Sequence, residues 1–106
     1  KKIIVKIDVE GMDLQFMKNF TQKFLKLDVV PSFFIISEIG SNYKYDASID
    51  KLSEFINYCL ENNINVGHLK NKNVREGKNN IDLIRNLSEF IDYNGSFDSG
   101  ELIVFN

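Results

Sequence analysis

The stretch Ile3 to Gly11 reads Ile-Ile-Val-Lys-Ile-Asp-Val-Glu-Gly and predicts the first strand of the fold. Its apolar residues are β-branched and nearly continuous, which is typical of a strand covered on both faces. The run ends on two carboxylates and a glycine, and a helical pattern follows. In α/β proteins, ligands bind beyond such carboxyl ends of strands, so this stretch predicts an edge at which chemistry takes place.

Downstream, the hydrophobic pattern alternates between helical and strand periodicity. Strands are predicted over 3–9, 33–39, 64–69 and 101–105. Helices are predicted over 12–27, 48–62 and 81–93. The charged segment 70–78 reads as a solvated loop. The order β-α-β-α-β-α-β favours helices packed on a mainly parallel sheet, in a single domain that covers residues 1–106.

Composition narrows the class of protein. The chain has 106 residues, 43% of them hydrophobic, and a net charge of −2, so it lacks the basic surface with which proteins neutralise nucleic-acid phosphates. No apolar run approaches the roughly 18 residues of a membrane span, and there is no signal-peptide pattern. Cys59 is the only cysteine, which indicates a reducing compartment. We therefore expect a cytoplasmic protein with no nucleic-acid or membrane partner.

The acidic residues that end the first two strands are the candidate catalytic groups. Right-handed crossovers place the strands 3–9 and 33–39 side by side and parallel, so Asp8, Glu10 and Glu38 converge at one edge. Asp8 lies within an apolar run, where an unpaired charge is unfavourable. An ion pair with Lys6 is the structural alternative to a functional role. The carboxylates could also hold a divalent cation, but no spacing specifies a metal, and none is predicted.

Three other residue types have both a functional and a structural interpretation. Tyr43 and Tyr45 follow the second strand on the ligand side of the sheet and are candidates for shaping a substrate pocket. His68 is the only histidine, and we expect it at the surface or hydrogen-bonded rather than as a general base. Cys59 falls on the apolar stripe of its helix and is expected to be a core residue rather than a nucleophile.

The segment Lys6 to Asp13, Lys-Ile-Asp-Val-Glu-Gly-Met-Asp, resembles the signature of FkbM-type S-adenosylmethionine-dependent methyltransferases. The proline-led strand from Pro31 to Glu38 fits the same family pattern. The resemblance implies a partial Rossmann-like (class I methyltransferase-like) three-layer sandwich, with a mostly parallel sheet of about four strands and a final antiparallel strand. It implies methyl transfer from S-adenosylmethionine to a hydroxyl, such as that of a sugar. The resemblance implies a catalytic role for the acids Asp8, Glu10 and Glu38. The substrate-binding candidates Tyr43 and Tyr45 rest on their position after the second strand.

The resemblance covers only part of a methyltransferase domain. The family holds its cofactor with a glycine-rich loop upstream of the motif, whereas the six glycines here are scattered singly, so the cofactor-binding residues stay unassigned. We therefore expect the C-terminal portion of such a domain, inactive alone. The strand Ile3 to Val9 would then pair with another copy or with the N-terminal half. A non-catalytic α/β binding or interaction domain, and a small free-standing enzyme that uses the acids, remain the alternatives.

A second resemblance is confined to one strand. Phe34 to Asn42 is similar to the first barrel strand of sialic acid synthases. Too few residues follow it to build the eight βα units of a barrel. The methyltransferase resemblance covers more of the chain.

Overall fold

The computed structural model describes residues 2–8, 13–39, 49–77, 80–91 and 97–106, and these residues form an α/β fold. Its strands are β1 (Lys2–Ile7), β2 (Ser32–Ile39), β3 (Asn65–Lys70), β4 (Asp82–Ile84) and β5 (Gly100–Phe105). Its helices are α1 (Asp13–Leu25), α2 (Ile49–Glu61) and the short α3 (Asn71–Arg75), with a 3-10 turn at Leu87–Glu89. The predicted helices 12–27 and 48–62 and the four predicted strands are therefore present, with ends shifted by one or two residues.

The five strands form one mixed sheet in the order β1-β2-β5-β3-β4. β1 and β2 are parallel, as predicted, whereas β5 is antiparallel to both β2 and β3, and β4 is antiparallel to β3. The expected final antiparallel strand is thus present. The prediction of a mostly parallel sheet is wrong for the described strands, because β5 enters between β2 and β3 and separates two strands that point the same way.

Both long helices pack on one face of this sheet. Residues of α1 and α2 share one buried cluster with the sheet side chains that alternation places on the same face. The members of that cluster that have the lowest exposure include Met17, Leu52, Ile56, Phe33, Ile35 and Val104. The connections β1-α1-β2 and β2-α2-β3 step across the sheet in the same direction, so crossovers of the same hand place both helices on one side.

The described elements therefore form two layers, and the expected three-layer sandwich is not seen among them. The ring centroids of Phe24 in α1 and Phe33 in β2 lie 5.4 Å apart, which joins the two layers. The α2 helix ends where Asn63 adopts a left-handed conformation with φ of 58°, as the pair Asn62-Asn63 predicts. No helix in the described ranges combines the length and apolar character needed to cross a membrane.

The predicted helix 81–93 is wrong. The structure has instead the strand β4, in which Ile84 pairs with Val66, followed by the 3-10 turn. Ile84 is buried by this pairing. The apolar residues that were interpreted as one face of a helix therefore include a residue that packs at the edge of the sheet. The segment 70–78, predicted as a loop, contains α3, whose Val74 and Arg75 are exposed to solvent.

β1 lies at one edge of the sheet and shows one face to solvent. Ile3, Val5 and Ile7 turn toward the helices, whereas Ile4 on the other face is 70% exposed. The expectation that this strand is covered on both faces is therefore wrong for β1 as described. Lys2 and Ile4 occupy alternate positions of the strand, so the exposed face is part charged and part apolar.

Burial on the helix side should dominate the stability of the sheet. Replacing Ile35, which is fully buried in β2, with alanine leaves a cavity and should lower the free energy of unfolding by about 2–5 kcal/mol. The matched change Ile4→Ala in β1 should lower it by less than about 1 kcal/mol, because Ile4 is already hydrated. Urea unfolding followed by circular dichroism measures both. Equal losses would contradict the two-layer packing.

Candidate functional site

The first candidate region is the sheet edge at which β1 and β2 end. Ile7 pairs with Ser37 in the parallel register, so the residues that follow, Asp8 and Glu38, lie at neighbouring positions. Both are exposed to solvent. The structure thus brings together these two predicted site residues at the carboxyl ends of adjacent parallel strands. Glu10, Tyr43 and Tyr45, the other predicted site residues, lie outside the described residues.

Asp8 does not have the environment that the sequence suggested. It follows the last residue of β1 and is exposed, so its carboxylate is hydrated and needs no partner to offset burial. Within the described part of the chain, it makes no ion pair with Lys6. The structural alternative of a Lys6–Asp8 pair is therefore not seen there, and the burial argument for Asp8 fails as well. A functional role of Asp8 is therefore supported only by its position beside Glu38.

A third carboxylate at this edge was missed by the sequence reasoning. Glu101 in β5 lies directly opposite Glu38 in the antiparallel register. Two like charges on directly opposed positions destabilise a strand pair, so this pair does not contribute to the stability of the sheet. Only the register of β5 reveals the pair, because Glu38 and Glu101 are 63 residues apart in the chain. No three acidic, histidine or cysteine residues in the described ranges have the arrangement of a metal site.

The second candidate region is a cleft on the helix-covered side of the sheet, at the end of β3. Its volume is about 230 Å³. The residues that line it come from β3, the 3-10 turn and the segment before β5: His68, Lys70, Ser88, Glu89, Phe90, Phe97 and Asp98. None of these except His68 was a candidate in the sequence, because their meeting depends on how β4 and β5 flank β3.

His68 forms the floor of the cleft and is not where the sequence predicted it. Its side chain is 1% exposed, and neither ring nitrogen reaches a partner with hydrogen-bond geometry. The ring centroid of Phe90 lies 4.6 Å from that of the imidazole. Burial lowers the pKa of His68 and the Lys70 ammonium lowers it further, against opposing effects of the Asp98 main chain and of the Asp98 and Asp82 carboxylates. The ring is therefore held neutral.

The rim of the cleft carries charge. The Lys70 ammonium lies 3.7 Å from Asp82 Oδ2 and 3.9 Å from Asp98 Oδ2, and so links β4 to the segment before β5. These side chains are partly exposed, so the ion pairs add little stability. Glu89 accepts hydrogen bonds from the Arg85 main-chain N–H at 3.1 Å and from Asn86 Nδ2 at 3.2 Å.

Cys59 lies outside both regions. It is fully buried in α2 and belongs to the core cluster, as predicted from the helical stripe. Burial raises the pKa of its thiol to about 12, so the reactive thiolate is scarce at neutral pH. The prediction that Cys59 is a core residue is therefore confirmed. That it is not a nucleophile stays a prediction.

The buried imidazole should make stability depend on pH in one direction. The pKa of His68 is lowered in the folded state, so as pH falls through about 6.5 the unfolded chain takes up a proton that the native chain does not. The free energy of unfolding should be steady above about pH 7.5. It should then fall by up to about 1.4 kcal/mol per pH unit until the folded-state pKa is reached.

Urea unfolding between pH 5 and 8 measures this dependence. The variant His68→Leu removes the only histidine, so the difference between the two curves isolates this residue from the carboxylates. The variant should lose the decline between about pH 7 and 5.5 that belongs to the imidazole. The same pH dependence in both proteins, whatever the offset between the curves, would contradict a lowered pKa of His68 in the folded state.

Comparisons with known proteins do not assign either region. No family model, no curated protein and no solved structure matches this chain.

Proposed function

We propose that the chain is the C-terminal part of an S-adenosylmethionine-dependent methyltransferase of the FkbM type. It would act on a hydroxyl, such as that of a sugar, once joined to a half that holds the cofactor. The observation that carries this proposal is the neighbouring placement of Asp8 and Glu38 at the carboxyl ends of two adjacent parallel strands. Ligands of open α/β sheets bind at such ends.

The carboxylates supply what methyl transfer to a hydroxyl needs. A base that accepts the hydroxyl proton, or a carboxylate that orients the oxygen toward the methyl group, lowers the barrier by positioning and proton transfer. Asp8 and Glu38 are exposed and so are accessible to an acceptor. In this proposal Glu10 joins them in catalysis, and Tyr43 and Tyr45 contact the acceptor.

The sheet supports a fragment in two further ways. The final strand β5 is antiparallel, as the family resemblance implies. In addition, β1 lies at the edge of the described sheet, with β2 as its one neighbour there. An exposed edge of backbone donors and acceptors is a template for another strand. We propose that the cofactor-binding half, or a second copy of the chain, pairs with this edge.

A non-catalytic α/β binding domain is the second candidate. It is favoured by the two exposed lysines of β1, Lys2 and Lys6, because lysine on an edge strand is a common device against pairing with another chain. It also fits the cleft with an unpaired His68 at its floor, because a ligand bound there does not require the carboxylate edge.

Calorimetric titration with S-adenosylmethionine distinguishes these candidates. The isolated chain should bind weakly or not at all, whereas a version extended upstream should bind and should protect the amides of β1 from hydrogen exchange. In the extended protein, Asp8→Asn or Glu38→Gln should lower methyl transfer by about 10²-fold or more without abolishing cofactor binding.

The control for these variants is Asp28→Asn, which makes the same charge change at an exposed position between α1 and β2. It should leave both activity and binding unchanged. Equal cofactor affinity of the short and extended chains would refute the fragment interpretation. Full methyl transfer by the Asp8 and Glu38 variants would remove these residues from catalysis.

A further inference from the structure

The geometry points to a ligand site in the cleft beside β3, and we propose that it binds a small primary ammonium ion that carries an apolar group. The site lies apart from the carboxylate edge formed by Asp8 and Glu38. It does not rest on the proposed methyl transfer, and it would hold for a catalytic or a non-catalytic chain.

The imidazole of His68 at the floor of the cleft can accept a hydrogen bond from a ligand. Neither nitrogen of the buried His68 has a partner in the described structure, although a buried polar atom is normally paired. A neutral imidazole carries its N–H on one of its two nitrogens. The other nitrogen is then an acceptor, and the ligand group that satisfies it must donate.

The charge around the cleft selects a cation. The lining contains the carboxylates of Glu89 and Asp98 together with the Lys70 ammonium, and Lys70 also contacts Asp82. The cleft lining and the ion pairs of Lys70 thus include three carboxylates and one ammonium. The excess of negative charge would repel an anion, whereas it would attract a second ammonium ion. An ammonium ion combines this charge with the donor that His68 lacks.

The walls fit a short apolar group attached to that ammonium. The rings of Phe90 and Phe97 are stacked with centroids 5.5 Å apart, and Phe90 in turn contacts the imidazole. A cation held near such rings is also attracted to their faces. The volume of about 230 Å³ is below the range of about 300 to 1,000 Å³ typical of sites for drug-sized ligands, so the ligand is small.

Access to the floor requires a small movement. His68 is almost closed to solvent, whereas Phe97 is only half-buried and stands at the rim. We therefore expect Phe97 to turn outward as the ammonium reaches the imidazole, and the binding to be weak and saturable. The amide signals of Phe97 and His68 should shift together in a titration.

Nuclear magnetic resonance titration of the ¹⁵N-labelled chain at pH 7.5 tests the proposal with three probes that share one ring. Benzylammonium chloride should give saturable shifts of the His68, Ser88 and Asp98 amides. Benzyl alcohol, which has a donor but no charge, and sodium benzoate, which has the opposite charge, should each bind at least tenfold more weakly. Equal binding of either comparison probe, or no saturable shift with benzylammonium, would overturn the proposal.

Two variants locate the binding. Asp98→Asn removes a carboxylate of the rim and should weaken benzylammonium binding at least threefold, as should His68→Leu, which removes the acceptor. Asp28→Asn makes the same charge change at the opposite end of the sheet and should leave the affinity unchanged. If His68→Leu does not fold, Asp98→Asn alone tests the site. Asp98 is exposed, so this change should not impair folding. Unchanged affinity in Asp98→Asn would contradict the site.

Discussion

The pairing of β5 with both β2 and β3 is the constraint on which the rest of the described fold depends. Without it, the ladders β1-β2 and β3-β4 would be separate two-stranded sheets, which are at best marginally stable alone. Val104 lies between Ile35 and Val66 in the register and is fully buried. The last residue adds to this attachment, because Asn106 Oδ1 accepts a hydrogen bond from the Phe33 N–H at 2.8 Å.

The same strand determines where the two candidate sites lie. Its register sets Glu101 opposite Glu38 on the face that the long helices leave uncovered, and Leu102 beside His68 on the face that they cover. The carboxylate edge and the cleft therefore share one end of the sheet but lie on opposite faces of it. Gly100 allows the close approach at this end, since a Cβ there would overlap the main-chain carbonyl of Leu69.

The elements with one clear periodicity could be predicted from the sequence. The helices α1 and α2 have long apolar stripes, and β1, β2 and β5 have compact apolar runs, so local pattern and tertiary structure agree. β4 could not be predicted, because the spacing of Ile81 and Ile84 fits a helix equally well. Only the exposed edge of β3 decided in favour of a strand. The exposure of one face of β1 was indicated in the sequence, because Lys2 and Lys6 lie on the same face of the strand.

The candidate sites were predictable to different degrees. Asp8 and Glu38 follow from strand order and handedness, which the sequence pattern carries. The cleft depends on contacts between segments that are far apart in sequence, and a lone histidine gives no direct sign of burial. The one usable signal was alternation, since His68 shares a strand face with Val66 and so with the core.

Amide hydrogen exchange of the 106-residue chain, resolved by residue, tests the central role of β5 most directly. We expect the amides of β5 from Leu102 to Val104 to be among the slowest and to exchange only through global unfolding, with β1 and β4 opening earlier. Rapid exchange in β5 while β1 and β2 stay protected would show that the sheet holds together without its inserted strand, and would contradict the account.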